Sequence, residues 1–178
     1  MIDLIRYAPT HGFADRFAVT WLVFEGVRVL TCGSITLLDG RESSNKELPS
    51  LIAKEHPDLV FGCEWTGTKD HMDYPQNALR IQTARALYDA SCMYVMTPRI
   101  LEHYDIARFN TRVLRSAKVP IVFASLAERD EELAHPKDLE AIGSLLGLSD
   151  REIAHARRLL EALPTTRFDQ QFRLESPR

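Results

Sequence analysis

Short apolar runs recur along this chain of 178 residues, and stretches with helical periodicity separate them. The runs cover residues 2–5, 27–30, 59–61, 92–96 and 119–124. Short buried strands that alternate with helices are typical of βαβ units. The pattern predicts an α/β fold with a mostly parallel sheet.

Two consecutive helices are predicted towards the end of the sequence, over residues 136–146 and 150–162. Ser149 and Glu152 have the spacing of a capping box at the start of the second helix, and Gly147 is placed to end the first. Prolines stand where a first helical turn tolerates them, at Pro49, Pro75, Pro98 and Pro136.

Two segments are less regular. Residues 13–38 fit either a helix that ends near Gly26 and precedes a strand, or a hairpin that turns at Glu25-Gly26. The spacing of the aromatic residues favours the helix: Phe13, Phe17, Trp21 and Phe24. Residues 164–178 contain two prolines and little apolar periodicity. We therefore expect one domain over residues 1–163 and a loose C-terminal tail.

Composition narrows the classes of protein to which the chain can belong. A hydrophobic content of 45% is enough for one compact core. The net charge of −3 gives no overall basic signature, so affinity for a polyanion must come from a local patch. Cys32, Cys63 and Cys92 are widely spaced and form no CxxC pair, which predicts buried thiols in a reducing compartment. No apolar run approaches the roughly 20 residues of a membrane span, and we expect a cytoplasmic protein without membrane contact.

Catalytic motifs are missing from the sequence. It contains no HxH, HExxH, GxSxG, GxGxxG or P-loop pattern. One cluster of possible metal ligands follows the predicted strand 59–61 and consists of Glu64, Asp70, His71 and Asp73. It fits either a barrel-type hydrolase with a nonstandard metal site or an ordinary solvated loop.

A basic row is predicted on the helix between residues 105 and 118. Arg108, Arg112 and Arg115 stand at positions i, i+4 and i+7, which places them on one helix face. Guanidinium forks match phosphate oxygens, so the row could follow part of an RNA backbone. The alternative is a solvated face that Asp105 or Glu128 partly neutralises.

Four segments after this row carry a family resemblance. They read KVPIV at 118–122, SLA at 125–127, HPKDL at 135–139 and LLGLS at 145–149. In this order, residues 107–156 resemble the C-terminal half of the archaeal ribonuclease P protein component 3, and residues 77–95 are more loosely similar to an earlier helix and strand of that family.

The resemblance implies a trimmed β/α barrel of the TIM type, with parallel strands that alternate with helices. It implies a noncatalytic protein subunit of ribonuclease P, the endonuclease whose RNA removes 5′ leaders from precursor tRNA. The implied partners are the RNase P RNA and protein component 2, with precursor tRNA contacted only indirectly. The implied protein binds no cofactor of its own, and the magnesium is needed by the RNA.

The resemblance and the basic row together indicate residues that contact RNA or component 2: Arg108, Arg112, Arg115, Lys118, Ser125, His135 and Lys137. The chain departs from the family where Leu126 replaces a glycine, Glu128 a basic residue and His135 an arginine. A module that binds only protein is a further alternative, because the net charge is acidic.

Overall fold

The computed structural model describes residues 2–6, 20–26, 28–41, 43, 46–62 and 79–167. Its strands are β1 (Ile2–Ile5), β2 (Thr20–Val23), β3 (Val29–Cys32), β4 (Ile35–Asp39), β5 (Leu59–Phe61), β6 (Met93–Met96) and β7 (Ile121–Phe123). Its α-helices are α1 (Leu48–Glu55), α2 (Ile81–Asp89), α3 (Tyr104–Ser116), α4 (Pro136–Leu145) and α5 (Asp150–Arg167). Short 3₁₀ helices cover Pro98–His103 and Asp130–Glu132.

The main sheet has five strands in the order β3-β4-β5-β6-β7. Adjacent strands in this sheet are parallel, except for β3 and β4, which form an antiparallel hairpin. A second sheet consists of β1 and β2, which are parallel. The predicted α/β fold with a mostly parallel sheet is confirmed.

Single bridges join the small sheet to both edges of the large one. Ile5 of β1 pairs with Ala127, which follows β7, and the Arg6 N–H donates to the Ala127 carbonyl at 2.8 Å. Glu25, which follows β2, pairs with Thr31 of β3. No continuous ladder closes the described strands into a barrel, so the TIM-type barrel stays a prediction.

Side chains along each strand point alternately to the two faces of the main sheet, and both faces carry apolar side chains. Val60 and Tyr94 point into a core that α1, α2, α3 and α4 cover. Leu59 and Val95 point into a second core, which β1, β2 and α5 complete. Burial on both faces explains why these strands are short continuous apolar runs and do not alternate with polar residues.

The strands predicted over residues 2–5 and 59–61 are confirmed. Strands also lie within the predicted runs 92–96 and 119–124, where β6 is one residue shorter than predicted and β7 covers three of the six residues. The capping box is confirmed too: the Ser149 N–H donates to Glu152 Oε2 at 2.8 Å, and the Glu152 N–H donates to Ser149 Oγ at 3.4 Å. Gly147 ends the preceding helix with a φ of 90°.

The helix predicted to end near Gly26 is wrong for the part that the structure describes, because residues 20–23 form the strand β2. The alternative, a reversal at Glu25-Gly26, is supported: Glu25 and Thr31 form an antiparallel bridge and exchange two backbone hydrogen bonds, at 3.1 and 2.9 Å. A second reversal, between Cys32 and Ile35, forms the β3–β4 hairpin. Phe13, Phe17 and Trp21 are four residues apart, and an even spacing also places side chains on one face of a strand, so this part of the aromatic pattern fits both structures. Residues 13–19 lie outside the described part.

The last helix extends past the predicted boundary between domain and tail. It was predicted over 150–162, and α5 continues to Arg167. Residues 168–178 lie outside the described residues, as does Pro75. Residues 164–167, which were assigned to the tail, have helical backbone. The division into one domain and a tail stays a prediction.

The described cysteines are free thiols, as expected. Cys92 is buried, its Sγ donates to the Pro57 carbonyl at 2.7 Å, and burial raises the pKa of its thiol to about 12. Cys32 is half-buried, and desolvation raises its thiol pKa as well. Both thiols are therefore protonated at neutral pH, while Cys63 lies outside the described residues.

Candidate functional site

The parallel strands end around a cavity of approximately 620 Å³. Its walls include residues at or just beyond the C-terminal ends of five strands: Arg6, Arg41, Phe61, Thr97 and Ser125. In α/β folds, the C-terminal ends of parallel strands are where functional side chains collect. This strand-end cavity is therefore the first candidate for a binding site.

Three arginines of the described segments line the strand-end cavity, and each one contacts a carboxylate. Arg6 binds Glu128 at 2.7 Å and Arg99 binds Glu132 at 2.7 Å. Arg41 forks onto Asp39 through Nε and Nη2, and its guanidinium lies 5.2 Å from the Phe61 ring centre. The cations of the cavity wall are therefore internally neutralised.

Glu132 organises the loop on one side of the cavity. Its carboxylate accepts the Glu128 N–H at 2.9 Å and also contacts Arg129 at 3.0 Å. The backbone hydrogen bond, followed by the contacts with Arg129 and Arg99, holds the pKa of Glu132 below its usual value. The carboxylate therefore stays ionised and fixes the loop against the strand ends.

Ser125 connects this loop to the first strand. Its hydroxyl donates to Asp3 Oδ2 at 2.6 Å and accepts the Ala134 N–H at 3.0 Å. Asp3 Oδ1 accepts the N–H groups of Ser125 and Leu4, both at 2.8 Å. Asp3 and Ser125 are buried, with exposed fractions of 2% and 6%. The pair joins β1 to the turn that follows β7.

Burial raises the pKa of Asp3 to about 6, although hydrogen bonds from Ser125 and Leu4 act in the opposite direction. Desolvation disfavours the charged carboxylate more than the three donors favour it. Asp3 is therefore a buried acid whose protonation changes within a few pH units of neutrality.

The residues predicted to bind RNA or component 2 do not form a single cluster. Ser125 follows β7 at the strand-end cavity, whereas Lys118 precedes β7 at its other end. His135 is the N-cap of α4, where Nδ1 accepts the Lys137 N–H at 3.2 Å, and both side chains are exposed. His135 thus has a capping role in the structure.

The predicted arginine row lies on α3. Arg108, Arg112 and Arg115 are all exposed. Arg115 is held by Glu152, with Nε 2.7 Å from Oε1, and its Nη1 donates to the Gly147 carbonyl at 3.2 Å. Within the described part of the chain, neither Arg108 nor Arg112 forms an ion pair with a carboxylate.

The possible metal ligands Glu64, Asp70, His71 and Asp73 lie outside the described residues. Among the residues that are described, no three His, Cys, Asp or Glu side chains come together in an arrangement able to hold a metal ion. No helix in the described ranges is long and apolar enough to cross a membrane.

The sequence carries signals for the strand-end cavity outside the catalytic motifs. Arg6 directly follows β1, and Arg41 lies just beyond β4. A charged residue immediately after a buried strand marks the rim of a parallel sheet. Asp3 was a second signal, because it interrupts an otherwise apolar run from Ile2 to Ile5.

Comparison with known proteins gives no match, either to a family model or to a curated protein. A functional assignment therefore depends on the chain's own residues and on the resemblance carried by residues 107–156.

Proposed function

We propose that this protein is a noncatalytic subunit of ribonuclease P. In this proposal it acts with protein component 2 to support the RNA, which removes 5′ leaders from precursor tRNA and uses magnesium to do so. The protein itself binds no cofactor. The free thiols of Cys32 and Cys92 fit the reducing environment of the cytoplasm, where we place it.

The observation that carries the proposal is the exposed pair Arg108 and Arg112 on α3. A phosphate that binds them displaces no internal carboxylate, because neither arginine has an ion-pair partner in the described part of the chain. A guanidinium can bind phosphate oxygens through two hydrogen bonds. Contacts of this kind hold an RNA backbone without reading its sequence, as a supporting subunit requires.

We also propose that the strands form the closed ring that the resemblance implies. The bridges at Ile5–Ala127 and Glu25–Thr31 support this, since they join β1 and the end of β2 to opposite edges of the main sheet. The covering of one sheet face by α1, α2, α3 and α4 fits the outer helical layer of such a barrel.

The other predicted residues take different parts in this proposal. Lys118 and Arg115 lie near the end of α3 and extend its basic face, while His135 and Lys137 lie at the start of α4. Ser125 acts indirectly, because its hydroxyl is bound to Asp3 and holds the rim in place. Component 2 can then contact the exposed side of α4 while RNA contacts α3.

Reconstitution tests the function directly. The purified protein is mixed with its cognate RNase P RNA and component 2, and cleavage of precursor tRNA is measured at lowered magnesium. We expect cleavage faster than with component 2 alone. Cleavage equal to that with component 2 alone would refute the proposal.

A double variant tests the observation that carries the proposal. Arg108→Ala/Arg112→Ala should weaken RNA binding. Each lost phosphate contact lowers the slope of log K against log salt by about 0.7–0.9, so the double variant should lower it by about 1.4–1.8. Lys46→Ala/Lys54→Ala removes the same charge from exposed positions at α1 and serves as the matched control. Equal slopes in both variants would mean that Arg108 and Arg112 are ordinary solvent-exposed residues that do not contact RNA.

A further inference from the structure

A second basic row lies on α5. Arg151, His155 and Arg158 occupy positions i, i+4 and i+7, and all three are exposed. Ala156 and Leu160, on the opposite side of the helix, are buried in the core below the main sheet. The row therefore faces outward, with the same spacing as the arginines of α3.

A cleft of approximately 240 Å³ lies where the end of α3, the start of β7 and α5 meet. Arg115, Lys118, Glu152 and His155 line it. Lys118 has a left-handed backbone with a φ of 60°, and its N–H donates to the Arg115 carbonyl at 3.0 Å. The turn places the Lys118 side chain between the two basic rows.

The charge of this cleft is positive in balance. Glu152, the carboxylate that lines it among the described residues, is occupied by Arg115 and by the Ser149 N–H and hydroxyl. The Ser149 bonds and the Arg115 contact keep the pKa of Glu152 below its usual value. Lys118 in the cleft, and Arg151 on the α5 row outside it, have no ion-pair partner within the ranges that the structure describes. The cleft therefore favours a ligand that carries negative charge.

We propose that the α5 row and this cleft hold a second stretch of RNA phosphate backbone, separate from the stretch on Arg108 and Arg112. The inference rests on the proposed function and extends it from one helix to two. The seven residue-to-residue steps from Arg151 to Arg158 span about 10 Å at 1.5 Å per residue. At the axial spacing of about 3.4 Å per phosphate on one strand of double-stranded DNA, that length corresponds to about three phosphates.

RNA fits this surface better than an acidic protein does. The basic groups follow a line along the helix, with Lys118 and Arg115 beside its first turns, and a phosphate backbone is a linear array of charges. Large apolar anchors, which form the centres of protein interfaces, are not part of this row: the outward positions are Arg151, His155, Arg158 and the small Ala162.

The test is RNA binding by Arg151→Ala/Arg158→Ala. Binding of the cognate RNase P RNA to the protein with component 2 is measured over a series of potassium chloride concentrations. We expect about tenfold weaker binding at moderate salt and a slope shallower by about 1.4–1.8, the value for two lost phosphate contacts. Lys46→Ala/Lys54→Ala, on the other face of the main sheet, should behave like wild type. Circular dichroism verifies that both variants are folded.

The outcomes separate this inference from the function on which it rests. Wild-type stimulation of cleavage with an unchanged slope in Arg151→Ala/Arg158→Ala would overturn the inference and leave the function standing. If Arg151→Ala/Arg158→Ala lowers the salt slope of RNA binding, but the wild-type protein does not stimulate cleavage, the RNA surface would be supported and the proposed function refuted. Weaker binding of component 2 in the absence of RNA, with the RNA slope unchanged, would assign the row to protein and overturn the inference.

Discussion

Replacing Ser125 with alanine removes a hydroxyl that makes two buried hydrogen bonds at once. The hydroxyl donates to Asp3 at 2.6 Å and accepts the Ala134 N–H at 3.0 Å. In Ser125→Ala the Asp3 carboxylate loses one of its three donors, and a backbone N–H of the rim loop loses its acceptor. Because Ser125 is only 6% exposed, bulk water replaces these partners poorly.

The cost follows from the charge on Asp3. A hydrogen bond to an ionised group contributes about 1.5–3 kcal/mol, and an unsatisfied buried N–H costs about 1–3 kcal/mol. Since the site lies beside the strand-end cavity and can relax, we expect a loss of about 2–4 kcal/mol at pH 7. At pH 4.5, below the Asp3 pKa of about 6, the carboxyl is largely protonated and the hydrogen bond is a neutral one. The loss should then fall to about 1–2 kcal/mol.

Urea unfolding followed by circular dichroism at the two pH values measures both losses. Ser144→Ala is the matched control, because the Ser144 hydroxyl is exposed and makes only a long 3.4 Å bond to the Glu140 carbonyl within its own helix. Comparison of each variant with wild type at the same pH cancels the titration of other groups. A loss below about 0.5 kcal/mol at pH 7, or equal losses at both pH values, would refute the role given to the Asp3–Ser125 pair.

Two further changes test the packing of the first strands. The folded-state pKa of Asp3 is raised from 3.8 to about 6, so the folded protein binds the proton more tightly and the free energy of unfolding falls as pH rises from about 4 to about 6, by about 3 kcal/mol. Asp3→Asn should remove this dependence, and a variant whose stability still follows that curve would contradict the assignment. At Gly26, φ is 128° and an added Cβ would lie 2.6 Å from the Val29 carbonyl oxygen, so Gly26→Ala should lower the free energy of unfolding by more than about 2 kcal/mol. Gly147→Ala, where φ is 90° with open space around it, should cost only about 1 kcal/mol, and equal thermal shifts for the two variants would argue against the close approach of Val29 to Gly26.

The parts of the fold that local chemistry determines were predictable from the sequence. The strands β5 and β6 are buried on both faces and are therefore continuous apolar runs. Ser149 and Glu152 are close enough in sequence to satisfy each other's backbone, so the start of α5 was visible as a motif. Such signals need no knowledge of distant parts of the chain.

The parts that depend on distant contacts were not predictable. The strand β2 is short, and its pairing with β1 across residues 6–19 leaves no local mark that distinguishes it from an amphipathic helix. The ion pairs of the strand-end cavity were not predictable for the same reason, because Arg6 and Glu128 come into contact only in the folded chain. The α3 row was predictable from spacing along the sequence, because residues at positions i, i+4 and i+7 of a helix lie on one face.

The hydrogen bonds between Asp3 and Ser125 join residues that are 122 positions apart. During synthesis on a ribosome, the first strand emerges long before its partner exists, and a partly made chain has no donor to offer this carboxylate from the far turn. Contacts of such long sequence separation close late and slow the folding of the whole domain. A nascent chain that ends before β7 would therefore expose apolar residues at the edge of the core. Whether it folds without aggregating would depend on how quickly the last third of the sequence is translated.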